Sequence, residues 1–342
     1  MGVPLPSRAA PVLKLVAAAL AAAALATSCV PNTTESTRSQ PAAGAGSATL
    51  LVEPDDGPAP VLAFLRGAQR ALAVEVYLLT DDEAIQSLVD LRADGREVQV
   101  VLEPHPFGAD GANQPAFDRL TAAGVGVAWA SPRFALTHTK TLVADGRRAL
   151  IMSLNLTRAG LRGNREFAIA GDAPADVAGA ADILAADRLG TAAPAPPPQG
   201  RLVASPVNAR ARLLDLIGGA RRSLAIEIEE LSDPEAVSTI AGSVARGVAV
   251  TAVVPGTGRS TATQAAVVAL VGAGAAVRAL LSPTVHAKAI VADGARLYVG
   301  SVNLTSASLD DNREIGLVLD DPVLAARVAR TIAADWARAG EI

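Results

Sequence analysis

The feature that most constrains this chain is a polar pattern written twice. From His138 the sequence runs HTKTLVADGRRALIMSLNLTRAGLRGNREF, and from His286 it runs HAKAIVADGARLYVGSVNLTSASLDDNREI. Counted from each His, Lys falls at +2 (Lys140, Lys288), Asp at +7 (Asp145, Asp293), Ser at +15 (Ser153, Ser301), Asn at +17 (Asn155, Asn303) and Glu at +28 (Glu166, Glu314). Every member recurs 148 positions later without a slip. Self-similarity at a fixed period marks a repeated architecture. A repeat kept only for folding would hold its apolar positions and let polar ones drift, so a fixed polar set points to chemistry.

The local pattern fits a site. The segments T-L-V-A-D and A-I-V-A-D read as buried strands, and L-I-M-S-L-N and L-Y-V-G-S-V-N as a second pair. His and Lys stand two apart, as do Ser and Asn, so each pair shares a strand face. Each half then presents one polar patch, and the two can face each other across a pseudo-two-fold axis.

H-x-K-x4-D followed by G-S-x-N and N-x-E resembles the signature of the phospholipase D superfamily, in which two copies build one active site. The resemblance spans residues 49–342. It implies a phospholipase D-like α/β fold of two pseudo-two-fold related halves, each a central mixed sheet flanked by helices. It makes His138, Lys140, Asp145, His286, Lys288 and Asp293 the catalytic motif, with Ser153, Asn155, Ser301 and Asn303 on the phosphate. Glu166 and Glu314 would orient the imidazoles. The odd spacing of Asp145 and Asp293 puts them off the His–Lys face, which favours a supporting role. The family usually has Gly before the Ser; Gly300 follows that pattern and Met152 departs from it.

The resemblance also implies the chemistry. One His, neutral, attacks phosphorus through Nε2; the sequence does not say which of the two, and His138 is taken as the attacker. The other His protonates the leaving alcohol, and Lys and Asn neutralise the phosphate oxygens. No cofactor and no metal is expected. Three His and one Cys leave no means of building a structural zinc site.

Residues 1–29 read as a lipoprotein-type signal peptide. Arg8 and Lys14 form a positive start, an apolar run of 12 covers residues 15–26, and Ala26-Thr27-Ser28-Cys29 resembles a bacterial lipobox. Such a run is too short to span ~30 Å of hydrocarbon as a helix. The one Cys of the chain stands where lipidation would need it. The expected location is therefore extracytoplasmic, lipid-anchored to the bacterial cell membrane through Cys29, with secretion as the alternative. Residues 30–48 are small and polar and read as a flexible tether. Residues 49–190 form the first half, 191–200 a Pro-rich linker, and 201–342 the second half.

Helices are expected over 60–71, 82–94, 209–220 and 234–246, and strands over 48–52, 72–78, 98–102, 224–228 and 248–254, an α/β alternation. Glu75 and Glu227 occupy matching places in apolar strands. They are either salt-bridged strand-end acids or carboxylates supporting a catalytic Lys or His. The halves differ in two loops, which brings forward Trp129, Arg133 and Phe134 as a substrate lip. Packing for Trp129 and simple solvation for Arg133 are the alternatives. His105 reads as a surface residue and Trp336 as core.

These features predict a metal-independent phosphodiesterase that hydrolyses or transphosphatidylates phospholipids, acting as a monomer on a phospholipid with water or an alcohol as acceptor. A cardiolipin synthase-like transferase, a secreted nuclease and a phosphate-binding protein without activity are the alternatives. The net charge is −4, and loss of Arg8 and Lys14 with the leader makes it −6, which disfavours nucleic acid.

Overall fold

The computed structural model describes residues 46–197 and 200–342. The leader, Cys29 and most of the tether lie outside the described residues.

In the first half the strands are β1 (Ala48–Glu53), β2 (Ala71–Val76), β3 (Glu97–Leu102), β4 (Gly126–Trp129), β5 (Lys140–Ala144), β6 (Arg148–Met152) and β7 (Asn164–Gly171). Its helices are α1 (Ala59–Arg66), α2 (Asp82–Ala93), α3 (Gln114–Ala122), α4 (Arg158–Arg162) and α5 (Pro174–Arg188). The second half has β8 (Leu202–Ser205), β9 (Ser223–Ile228), β10 (Ala249–Pro255), β11 (Ala276–Leu280), β12 (Thr284–Val285), β13 (Lys288–Ala292), β14 (Arg296–Gly300), β15 (Glu314–Asp320) and β16 (Gly340–Glu341). Its helices are α6 (Ala209–Gly218), α7 (Pro234–Ala245), α8 (Thr261–Gly272), α9 (Ser306–Asp310) and α10 (Pro322–Arg338).

The first sheet runs β1-β7-β6-β5-β2-β3-β4, and the second repeats that order as β8-β15-β14-β13-β9-β10-β11, with β16 added at the edge. Both are mixed: β2-β3-β4 and β9-β10-β11 are parallel, and the other neighbours are antiparallel. β12 leaves its own sheet and pairs in parallel with β7 of the first half.

Strand alternation sorts the side chains into layers. On β5, β6 and β7, Leu142, Ala144, Leu150, Met152 and Ala168 face α1, α2 and α3. Their neighbours Val143, Ala149, Ile151, Phe167 and Ile169 face inward. The same alternation in the second half gives an outer core with α6, α7 and α8. Between the sheets, side chains of both halves interleave with α5 and α10 in one central core. Full burial of a residue such as Phe167 there contributes about 1.5–3 kcal/mol, so the two halves are bound together by their own apolar faces.

Expected element positions hold to within two residues except for the first helix, which ends at Arg66 and not at 71, and two further corrections stand beside it. The second predicted strand of each half stops at Met152 and Gly300, so Ser153, Asn155, Ser301 and Asn303 sit in the loops beyond β6 and β14. The end of the expected tether belongs to the fold: β1 begins at Ala48, and the Ser47 hydroxyl donates to Asp172 at 2.8 Å.

The Met152 departure has a packing explanation. Gly300 lies opposite Gly316, and a Cβ on either would strike Tyr298. The Tyr298 ring fills that space, and its hydroxyl accepts from the Val302 amide at 2.9 Å. The first half has Leu150, Met152 and Ala168 where the second has Tyr298, Gly300 and Gly316. A smaller residue on β6 leaves room that Met152 occupies, fully buried. Volume is redistributed and the loop beyond is kept.

Candidate active site

His138 and His286 precede β5 and β13 by two residues, and the backbone of the opposite half fixes each one. The His138 amide donates to the Arg313 carbonyl at 2.8 Å, and the His286 amide donates to the Arg165 carbonyl at 3.2 Å. Arg165 and Arg313 each immediately precede the expected orienting glutamate. The glutamates therefore meet the histidine of the other half. His138 Nδ1 lies 2.9 Å from both Glu314 oxygens, and His286 Nδ1 lies 2.6 Å from Glu166 Oε1. With Nδ1 engaged, each Nε2 is left for substrate.

The lysines close the set. Lys140 Nζ donates to the His138 carbonyl at 2.6 Å, and Lys288 Nζ to the His286 carbonyl at 2.7 Å. Both are fully buried. Burial pushes Lys140 down to about 7 and Glu314 up to about 7. Burial, with the charges of Lys140 and Lys288, holds His138 well below its ordinary 6.5. Cations from both halves thus act on one imidazole, which stays neutral.

Asn155 and Asn303 hold matching places in the loops beyond β6 and β14, nearly buried; the Asn303 amide donates to Glu229 at 3.4 Å, which ties it to the cluster. Ser153 and Ser301 are fully buried behind the glutamates, which corrects their expected place on the phosphate. The Ser153 hydroxyl donates to Glu166 at 2.5 Å, and Ser301 donates to the Ile315 carbonyl at 3.2 Å.

Asp145 and Asp293 stand at the far ends of β5 and β13 and do not enter the cluster, so their motif membership is structural. Each adopts a positive φ, 59° and 56°. Asp145 accepts from the amides of Gln69, Arg70 and Ala71, and Asp293 from those of Arg221, Arg222 and Ser223. Burial raises both carboxyls, but the three amides on each together outweigh it and hold them below the usual range.

Glu75 and Glu227 are buried away from the cleft, each in a crossed cluster. Glu75 meets Asp187, which accepts from Arg313 Nη2 at 3.0 Å; Arg313 also donates to the Ser205 carbonyl at 2.9 Å. Glu227 meets Asp335, which pairs with Arg165 at 2.5 Å; Arg165 also donates to the Glu53 carbonyl at 2.8 Å. Burial and the neighbouring Asp push both glutamates well above their ordinary value. Each carboxyl–carboxylate contact requires a proton between its members. These are clamps between halves, with no contact to a catalytic Lys or His.

The proposed lip dissolves into packing. Trp129 stacks on Phe117 with centroids 4.1 Å apart, Arg133 donates to the Gly190 carbonyl at 3.4 Å, and Phe134 covers the Arg313 guanidinium at 4.1 Å. His105 is a surface residue paired with Asp110. Trp336 packs partly buried against the central core, under Arg278.

Two residues unforeseen from the sequence border the histidines. Tyr77 meets His138 edge-on at 4.6 Å. Glu229 accepts from Lys288 at 2.6 Å and lies 3.6 Å from His286 Nε2. The two positions correspond: the Tyr77 amide donates to the Thr139 carbonyl and the Glu229 amide to the Ala287 carbonyl, each at 3.0 Å. Among the described residues no three His, Cys, Asp or Glu side chains are grouped to hold a metal ion, and no helix is long and apolar enough to cross a membrane.

Two solved structures share this fold over most of the chain. The fold resembles polyphosphate kinase from Porphyromonas gingivalis (TM-score 0.67, 16% identity), covering 86% of this chain and 48% of that one. It also resembles phosphatidylserine synthase of Haemophilus influenzae Rd KW20 (TM-score 0.67, 12% identity), covering 86% of this chain and 87% of that one. Nuc from Salmonella typhimurium, a phospholipase D family member, aligns with 42% of this chain and 96% of its own at 25% identity and TM-score 0.39. No curated protein matches. Residues 61–187 and 213–336 each match the family described as cardiolipin synthase, PLD-like domain. The chain belongs to the phospholipase D-like family, with one copy of the domain in each half.

Proposed function

We propose that this protein is a phospholipid phosphodiesterase working through a phosphohistidine. The observation that carries the reading is the pair of histidines, each with Nδ1 against a glutamate of the other half and a buried lysine beside it. His138, kept neutral by burial and two lysines, is the nucleophile. His286, with Glu166 at Nδ1 and Glu229 near Nε2, is placed to hold a proton.

His138 Nε2 forms a bond to phosphorus, and the bond to the leaving oxygen breaks as that oxygen takes the proton of His286 Nε2. Water or an alcohol then attacks phosphorus and gives its proton to His286. The phosphorus–nitrogen bond breaks and His138 is restored. Lys140, Lys288, Asn155 and Asn303 hold the non-bridging oxygens as charge builds. The glutamates fix the tautomer and stabilise the imidazolium, as the acid of a triad does.

Hydrolase and phosphatidyltransferase share every step up to the phospho-enzyme and differ in what resolves it. The family description, which names cardiolipin synthase, supports the transferase as a second reading. Both motif copies come from one chain, which supports action as a monomer. A lipid anchor at Cys29 would keep the enzyme beside its substrate, and mass spectrometry of the mature N-terminus tests it.

The test of function is incubation of the purified protein, in EDTA, with mixed phospholipid vesicles and a primary alcohol. Phosphatidic acid or phosphatidyl-alcohol is expected, and their ratio separates the two activities. Absence of both from folded protein overturns the reading.

A further inference from the structure

The two halves agree at every expected site residue and differ beside them, where the first half has Tyr77-Leu78 and the second has Glu229-Glu230. Tyr77 stands one residue past β2, and Glu229 one residue past β9, with the same backbone hydrogen bond. Tyr77 is neutral and packs on His138, with Lys140 Nζ 5.0 Å from its ring. Glu229 is a carboxylate lodged on three groups that a phosphate would use. It accepts from Lys288 at 2.6 Å and from Asn303 at 3.4 Å, and stands 3.6 Å from His286 Nε2. Although burial alone would raise it, the charges of His286 and Lys288 hold Glu229 well below the usual carboxylate range. It is ionised and competes with any phosphate for Lys288.

A fixed negative charge in an anion site is costly unless the substrate compensates it. Glu166 and Glu314 are sealed behind the histidines, fully buried. Glu229 keeps 31% of its side chain exposed, so it can swing when phosphate takes Lys288. Glu230 beside it is a second acid, pushed up by its own burial and by Glu229. A displaced carboxylate next to a second acid needs a cation. The cleft wall at His286 is also where the leaving alcohol receives its proton in the proposed mechanism.

We propose that Glu229 is a specificity-determining residue that selects phosphodiesters whose leaving alcohol carries an ammonium group. This rests on the phosphodiesterase reading with His286 as the acid. An ammonium two carbons from the ester oxygen would sit beside a carboxylate already next to the proton-donating nitrogen. It would replace Lys288 as the partner of Glu229 while Lys288 turns to the phosphate. An anionic or polyol head group offers no such exchange.

The experiment compares kcat/KM for phosphatidylethanolamine and phosphatidylglycerol in neutral detergent micelles, with bis(p-nitrophenyl) phosphate as a diester lacking any head group. The wild type is expected to favour phosphatidylethanolamine by about tenfold or more, the scale of one buried charge contact. Glu229→Gln should erase that preference, lowering turnover of phosphatidylethanolamine and raising that of phosphatidylglycerol. Glu229→Asp, which keeps the charge, should retain the preference. Three results would overturn the inference alone: a wild type that cleaves the nitrophenyl diester and shows no head-group preference, a Glu229→Gln variant with the preference intact, or equal gains on both lipids. A wild type that cleaves none of the three overturns the phosphodiesterase reading and this inference with it. If Glu229→Gln does not fold, the wild-type preference and the Glu229→Asp variant still decide.

Discussion

His138 Nδ1 lies 2.9 Å from both carboxylate oxygens of Glu314, a residue 176 positions downstream in the other half of the molecule. Each half thus carries the histidine of one pair and the glutamate of the other. Neither half holds a complete pair.

The crossing predicts which step each glutamate serves. Glu314→Gln should slow formation of the covalent adduct by about 10²–10⁴-fold, because His138 loses its tautomer control. Glu166→Gln should act through His286, slowing release of poor leaving groups and resolution of the adduct. Rapid-quench measurement of adduct formation and decay checks the assignment. The reverse pattern would mean that the pairs serve the opposite roles.

The role of the acid can be bypassed. With a p-nitrophenyl leaving group no proton donor is needed, so His286→Ala should still form the adduct and then accumulate it. With bis(p-nitrophenyl) phosphate, intact-protein mass spectrometry should find the mass of a p-nitrophenyl phosphoryl group, and peptide mapping should place it on His138. His138→Ala should show no adduct; an adduct on His286 would exchange the two roles.

Anion affinity should weaken as pH rises. Burial brings Lys140 down to about 7, and a phosphodiester anion binds its protonated form. Apparent Kd for dimethyl phosphate, whose own charge is constant here, should be flat below pH 7 and rise above it by about tenfold per unit. Glu314, raised to about 7, gains negative charge over the same range and works in the same direction. Calorimetric titration from pH 6 to pH 9 checks this, and a level profile would contradict it.

The buried clamps predict opposite outcomes for two neighbours. Arg313→Met removes the cation paired with Asp187 beside Glu75 and should cost about 3–5 kcal/mol of stability. Glu75 keeps its proton in the fold, so Glu75→Gln should change stability by only about 1 kcal/mol. The unfolded chain releases that proton above about pH 4.5, its ordinary value, so the folded state binds more protons there and wild-type stability falls as pH rises. Glu75→Gln should flatten that slope in denaturant titrations at pH 5 and pH 8.

Phe107 is 90% exposed, and its amide donates to the Tyr77 hydroxyl beside His138. An apolar ring held at the cleft suits contact with a lipid surface. Phe107→Ser should raise KM on vesicles severalfold and leave KM for a soluble diester unchanged; equal effects on both would place its role elsewhere.

The histidines, lysines, asparagines and orienting glutamates were legible because each is a polar residue repeated at one fixed period. The α/β alternation was legible because strands and helices bury their faces at different periods, whereas the order of strands in each sheet came with the structure. Arg165 with Arg313, and Asp187 with Asp335, also recur 148 apart and could have been found the same way. Glu229 could not. It differs from its counterpart Tyr77, and the spacing upstream of the histidines is 152, as Glu75 and Glu227 show, so a search for shared polar residues passes over it. The sequence by itself determined that two like halves each bring the same reacting groups. Only the tertiary structure decided that the groups pair across the halves, that Ser153 and Ser301 stand behind the glutamates, and that Asp145 and Asp293 tie down loops at the far strand ends. The physical reason is that a period records which residues are equivalent, whereas contact depends on how two sheets pack face to face and on which backbone carbonyl each histidine amide finds.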